Sequence, residues 1–176
     1  NNYEIKIIKK YVREGHNCID VGANIGFFTY IFLKQINNKG KVYSFENIPK
    51  VFEILKKNFE NDDNVICYEG EVGINSSNLI VDNLIGDRID FIKIDIDGLD
   101  YCALKSCEKI IKNNKPKIII ELSEASEREH GIHYNKTIEF LENNNYNLYL
   151  IDINLEKFNR KLEFNEVVNI LGIHST

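Results

Sequence analysis

Four ionisable side chains, Lys93, Asp95, Asp97 and Asp100, crowd the stretch FIKIDIDGLDY (91–101), which otherwise reads as buried strand. A carboxylate can remove the proton from an attacking hydroxyl, as can a histidine or a lysine, provided it is held within reach of the acceptor. Side chains alternate along a strand, which places Lys93, Asp95 and Asp97 on one side and Ile92, Ile94 and Ile96 on the other. A central strand covered by helices is apolar on both faces, so polar alternation at its carboxyl end marks a side that opens into a cleft. Asp95 is therefore the first candidate for a catalytic base, and Lys93 the second, as base or as the group orienting the acceptor. Asp97 has two readings, cleft residue and N-cap of the following helix; Asp100 fits the third helical position, making an acidic variant of the capping box. His130 and His133, in SEREHGIHYN, follow the next strand and are further candidate bases. Glu121 and Glu124 end that strand, and Glu121 with Asp95 would supply an oxygen-rich magnesium site if a metal takes part.

A second constellation is DVGANIG (20–26). Gly22 and Gly26 permit a tight strand-to-helix turn and close approach of backbone to a ligand. A dinucleotide fingerprint would read G-x-G-x-x-G, whereas this loop is G-x-x-x-G with Asp20 two residues ahead. A carboxylate there repels pyrophosphate and suits a ligand carrying an ammonium or sulfonium charge; the structural alternative is an aspartate that braces the turn. Glu46, twenty residues after Gly26, ends the second strand in SFEN, where an acid can accept both hydroxyls of a ribose.

These residues need a scaffold, and the pattern supplies one. Strand signals at 18–23, 40–47, 64–70, 89–97, 116–124, 147–154 and 166–174 alternate with helical periodicity at 24–36, 48–60, 99–115 and 134–146, after a leading amphipathic segment at 2–14. Pro49 stands in the first turn of its helix, where its missing N–H is harmless. The segment 71–88 reads as loop with a short strand at NLIVD. Strands separated by helices imply a parallel sheet covered on both faces. The final two strands are joined by LEKFNRKLEFN, too short for a crossover helix, which predicts an antiparallel hairpin.

Composition narrows the function classes. At 176 residues the expectation is one domain over 1–176. With 22 basic and 27 acidic residues the net charge is −5, which disfavours nucleic acid or an anionic membrane as partner. No apolar run reaches the length of a membrane span. None of the four cysteines forms a C-x-x-C pair, so free thiols in a reducing, cytoplasmic setting are expected rather than structural zinc. The chain has no methionine, as expected of a piece cut from a longer protein or of a trimmed chain.

On three matches the sequence resembles the class I S-adenosylmethionine-dependent methyltransferases, and within them the FkbM family: IDVGANIGFFT (19–29), VYSFEN (42–47) and FIKIDIDGLDYCALKSCEKIIKNNKPKIIIEL (91–122). The resemblance implies a Rossmann-like α/β fold with strand order 3-2-1-4-5-7-6 and the seventh strand antiparallel. It implies that Asp20, Gly22, Ala23, Asn24 and Gly26 line the methionine end of the cofactor, with Thr29 nearby. Glu46 would hold the ribose, and Asn47 would lie beside the adenine with Glu71 or Val72. Asp97 and Asp100 stand where the family carries glutamate, and the segment after the third strand is short.

The expected activity is S-adenosylmethionine-dependent methyl transfer to a hydroxyl, by family analogy that of a sugar in a glycan or glycosylated metabolite. The expected partners are a small-molecule or glycan acceptor and other domains of a larger glycan-processing chain. The alternatives are a non-catalytic cofactor-binding scaffold of the same fold and a nicotinamide-dependent oxidoreductase.

Overall fold

The computed structural model describes residues 2–175. Its elements in chain order are α1 (Asn2–Tyr11), β1 (Cys18–Val21), α2 (Phe27–Ile36), β2 (Val42–Glu46), α3 (Pro49–Asn58), β3 (Val65–Glu69), α4 (Val81–Leu84) and β4 (Phe91–Ile94). They continue with α5 (Asp100–Ser106), α6 (Glu108–Asn114), β5 (Lys117–Ser123), α7 (Ser126–His130), α8 (Asn135–Asn143), β6 (Tyr146–Leu150) and β7 (Val167–His174). The seven strands form one sheet ordered β3-β2-β1-β4-β5-β7-β6. All pairings are parallel except those of β7, which runs antiparallel to both β5 and β6. This is the expected topology, including the terminal hairpin.

Each sheet face packs its own core, because strand side chains alternate. Ile19, Val21, Phe45, Ile92, Ile94, Ile118 and Ile120 bury against Val81, Leu104, Ile111 and Leu141 of α4, α5, α6 and α8. Cys18, Val42, Phe91, Ile119 and Leu171 bury against Ile8 of α1, Phe32 and Ile36 of α2 and Leu55 of α3.

Three local expectations change. The NLIVD segment (78–82) makes only a single β-bridge, Leu79 to Val72, in place of a strand, and its last two residues, Val81 and Asp82, begin the short helix α4. The helix expected over 99–115 breaks at Cys107 into α5 and α6. The break is held from outside: the Asp82 carboxylate of α4 accepts the amides of Lys109 (2.7 Å) and Ile110 (3.0 Å), capping α6 across a gap no local pattern shows. Asp82→Ala is expected to cost about 1 kcal/mol, read as a lower urea midpoint with unchanged slope.

The third change concerns the aspartates. Strand β4 ends at Ile94, and Asp97 lies beyond it in the left-handed region, φ 50°, exposed. Asp97 therefore neither continues the alternation nor caps the helix, whose N-cap is Leu99. Asp100 opens α5 instead of occupying its third position. It reaches back so that its carboxylate accepts the amides of Ile96 (3.1 Å) and Gly98 (3.0 Å), closing the turn between strand and helix.

Candidate active site

The carboxyl ends of β1 and β4 meet at the glycine loop. Gly22 has φ +78°, and a Cβ there would sit 1.9 Å from the Asp95 carbonyl oxygen, so only glycine lets the loop lie against the end of β4. A Cβ on Gly26 would meet the Phe59 ring at 2.2 Å, which makes the second glycine a packing position under α3.

The loop amides are committed internally. Gly22 and Ala23 donate to the Phe45 carbonyl (3.0 and 2.9 Å), Gly26 donates to the Ala23 carbonyl (2.9 Å), and Ile25 donates to the Asn24 side chain (2.7 Å). The Asn24 amide donates to Glu46 (2.9 Å), whose other oxygen takes the amide of Ile48 (2.8 Å). Glu46 thus ties the loop to the start of α3 while keeping further lone pairs for a ligand.

Below the loop, Asp20 is wholly buried and accepts the Thr29 hydroxyl at 2.7 Å; Thr29 in turn lies 2.8 Å from the Ser44 hydroxyl. The second Asp20 oxygen, Oδ1, is buried without a hydrogen-bond partner. Burial raises this carboxyl above its ordinary range, against the pull of nearby Lys93. Thr29 is itself fully buried, so it stands behind the loop as the partner of Asp20.

A cavity opens on the other side of the loop. Gly22, Asn47 and Glu71 line it together with the apolar side chains Phe45, Val72 and Ile96. Apolar walls with an amide and a carboxylate at the rim suit a nucleoside, a flat base with a hydroxyl-bearing sugar. None of the described residues lining this cavity is a lysine or arginine, and the amides of residues 22–26 already donate within the protein. Both features disfavour the dinucleotide alternative, whose pyrophosphate needs positive charge or free amides at this turn.

Across the sheet from Asp20, Lys93 is its register partner on β4 and is 1% exposed. Its Nζ lies 2.8 Å from Asp95 Oδ2 and 4.3 Å from the Phe28 ring centroid. Asp95 is about one-third exposed, its side chain at 34%, so the pair has one buried and one open end. Glu121, in register beyond Ile120 on β5, is the next acid along. Burial, and then repulsion from Asp95, Asp100 and Asp97, raises it to about 7. Burial likewise raises Asp100 to about 6. Among the described residues no three His, Cys, Asp or Glu side chains are grouped to hold a metal ion. Glu124 is engaged elsewhere, paired with Arg128 at 2.8 Å and accepting the Asn165 amide.

His130 Nε2 lies 3.1 Å from the Asp97 carbonyl. A carbonyl only accepts, so Nε2 carries the proton and any base role falls to Nδ1. His133 stacks on Tyr134 and accepts the Asn135 amide.

The raised carboxyls have a stability consequence. Unfolded, Glu121 releases its proton near 4.5; folded, it holds it to about 7. The folded state binds more protons across that interval, so this contribution is complete below the interval and is lost as pH rises through it. Glu121→Gln is expected to gain Tm relative to the parent between pH 5 and 8. Parallel Tm profiles for the two proteins would show that Glu121 does not titrate in this way.

One group was missed from sequence. Glu4 of α1 is 3% exposed and faces the same cluster. Burial raises its carboxyl, with Lys93, Asp95 and Asp20 acting on it. The available signal was its position: Glu4 shares the buried face of α1 with Ile7 and Ile8, an acid at an apolar-face spacing.

Comparison with known proteins agrees with this geometry. Residues 72–148 match the model of the methyltransferase FkbM domain, and residues 4–81 match that of protein-L-isoaspartate(D-aspartate) O-methyltransferase. No curated protein matches by sequence. Among solved structures, the precorrin-6y C5,15-methyltransferase of Geobacter metallireducens GS-15 superposes with TM-score 0.65 at 15% identity, over 98% of this chain and 87% of that one. The methyltransferase FkbM of Methylobacillus flagellatus KT superposes with TM-score 0.61 at 15% identity; 96% of this chain covers only 50% of that protein's length. Fibrillarin of Aeropyrum pernix, with natively bound S-adenosyl-L-methionine, superposes with TM-score 0.67 at 13% identity, over 98% and 74%. No described helix is long and apolar enough to cross a membrane. With the expected strand order, a cavity beside the glycine loop, and similarity to the methyltransferase FkbM domain over residues 72–148 and to a second methyltransferase model over residues 4–81, the chain has the class I methyltransferase fold and resembles S-adenosylmethionine-dependent methyltransferases over most of its length.

Proposed function

We propose that this methyltransferase acts on a hydroxyl oxygen, that of a saccharide acceptor, with Asp95 as general base. The observation that carries the reading is the Lys93–Asp95 pair at the open end of β4. Lys93 engages Oδ2 at 2.8 Å, and with the side chain 34% exposed the second oxygen is left to an acceptor. The cofactor supplies an electrophilic methyl group on a sulfonium centre. Gly22, Asn47 and Glu71 line the cavity proposed to receive its nucleoside, Glu46 accepts ribose hydroxyls on its remaining lone pairs, and Asp20, Ala23, Asn24, Gly26 and Thr29 form or brace the loop at its methionine end.

Asp95 Oδ1 takes the acceptor's proton as the oxygen commits to attack, and Lys93 fixes the carboxylate and offsets the surrounding acids. The cation–π contact with Phe28 holds the Lys93 head in place. Oxygen rather than nitrogen as acceptor is supported by the O-methyltransferase model over residues 4–81, and the saccharide by the FkbM resemblance. His130 is the alternative base, through Nδ1. The scaffold alternative keeps the cofactor cavity and loses turnover.

The test is calorimetric titration with S-adenosylhomocysteine beside NAD, followed by transfer of labelled methyl to saccharides. Saturable binding of the first alone, with label appearing on oxygen, is expected. Binding without transfer to any hydroxyl would favour the scaffold; binding of NAD alone would overturn the reading.

A further inference from the structure

Helix α2 is apolar all round, the pattern of a helix covered on every side. Its sequence, FFTYIFLKQI, carries one stripe of buried residues, Thr29, Phe32, Leu33 and Ile36. A second stripe, Phe27, Tyr30, Ile31 and Lys34, has the same i, i+3, i+4, i+7 spacing but turns outward, with Phe27 56% and Tyr30 53% exposed. Together with Ile5 and Lys9 of α1, this stripe lines a groove of about 440 Å³ between the two helices. Phe27 stands edge-on to Phe28, ring centroids 5.2 Å apart, so the end of the groove is held in place before anything binds. A contiguous exposed apolar surface of this kind marks an interaction site.

The rims of the groove are cationic. Lys9 stands on the α1 side and Lys34 on the α2 side, with Lys34 Nζ 5.2 Å from the Tyr30 ring centroid. Lys6 and Lys10 are exposed on neighbouring turns of α1, lying over the rings of Tyr3 and Tyr11. No acid of the two helices offsets them. Helix α2 has none, the one acid of α1 is the buried Glu4, and Glu14 beyond α1 pairs with Lys39. In a chain whose net charge is −5, this face is a local reversal of sign.

We propose that this groove docks an acidic amphipathic helix of another polypeptide, its apolar stripe seated on Phe27, Tyr30 and Ile31 and its carboxylates meeting Lys9 and Lys34 on the two rims. Helix-in-groove recognition uses anchors at i, i+3, i+4 and i+7, and opposed charges along the rims fix the register and speed encounter. An anionic membrane is disfavoured: it offers a plane to a surface sunk between two helices, and it repels a chain of net charge −5. A second copy is disfavoured as well. Its acidic amphipathic helix, α8, turns Thr137, Phe140 and Leu141 inward, and α3 brackets its exposed Ile54 with Lys50 and Lys57. None of the groove residues lines the cofactor cavity, so docking and cofactor binding are separable.

The probe is a fluorescein-labelled peptide of about 18 residues, long enough to form a helix, with leucine at i, i+3, i+4 and i+7 and glutamate on both flanks. It is titrated by fluorescence anisotropy beside the same peptide carrying lysine for glutamate. The acidic peptide is expected to bind saturably, about tenfold or more tightly than the basic one, and to weaken as salt is raised. Phe27→Ser combined with Tyr30→Ser, both at exposed positions, is expected to weaken it about tenfold with Tm kept. Lys9→Glu combined with Lys34→Glu is expected to reverse the preference, so that the basic peptide binds more tightly. Equal binding of the two peptides, no binding of the acidic one, or binding unchanged in both double variants would each overturn the proposal. Capture of the chain by vesicles of phosphatidylserine and phosphatidylcholine, or self-association in sedimentation, would also overturn it if lost in the Phe27→Ser, Tyr30→Ser protein, the first in favour of a membrane and the second in favour of another copy.

Discussion

Gly22→Ala is expected to abolish cofactor binding and to cost roughly 2–5 kcal/mol of stability, the sum of an overpacked contact and an unfavourable left-handed backbone. Two independent features act at this position. Its φ is +78°, and a methyl group would lie 1.9 Å from the Asp95 carbonyl oxygen, a backbone atom that cannot rotate away. Relief requires the loop to lift from β4. That in turn breaks the amide bonds of Gly22 and Ala23 to Phe45 and carries the wall of the nucleoside cavity with it. Thermal unfolding with and without S-adenosylhomocysteine is the measurement, with Gly86→Ala as comparison because a Cβ there meets nothing within 4 Å. A Gly22→Ala protein that keeps both its Tm and its ligand-induced Tm rise would show that the loop adapts and that the close approach is not required.

Asp95→Asn is expected to lower kcat by about 10²- to 10⁴-fold, the usual contribution of a positioned general base. S-adenosylhomocysteine affinity should change little, because the Asp95 side chain is not part of the nucleoside cavity lining. Asparagine keeps the shape and can still accept from Lys93, so the variant separates chemistry from folding. Asp95→Ala is a different experiment. It leaves the Lys93 ammonium, 1% exposed, without its 2.8 Å partner. Removing one member of a buried pair costs about 3–5 kcal/mol, a figure to be reduced here because Asp95 is partly open to solvent. If Asp95→Asn turns over at near-normal rate, the base lies elsewhere, and the Nδ1 of His130 is the next candidate.

The candidate site was legible in sequence where residue type and local geometry coincide. The G-x-x-x-G turn, Glu46 at the end of β2 and the polar alternation of Lys93 with Asp95 are each defined by neighbours within a few residues. Strand alternation does not extend to Asp97, because β4 ends at Ile94 and the chain turns left-handed at Asp97 itself. Asp100 was recognised as structural, but its partners are the amides of Ile96 and Gly98 behind it rather than the helix ahead. Glu4 went unread because an acid on an apolar helix face is informative only when the opposing sheet is known to carry charge.

Sequence by itself determined the class of fold, the terminal hairpin, the glycine loop and the face on which Lys93 and Asp95 lie, since all of these follow from periodicity and turn chemistry over short spans. Only the tertiary structure decided that the loop amides are already occupied, that Asp82 caps α6 and splits the expected helix, and that Glu4 of α1 comes to face the Lys93–Asp95 pair. Those outcomes depend on which hydrogen-bond acceptors remain once distant segments pack. Hydrogen bonds saturate and buried polar atoms must find partners, so they are settled by the whole arrangement of the chain rather than by any stretch of it.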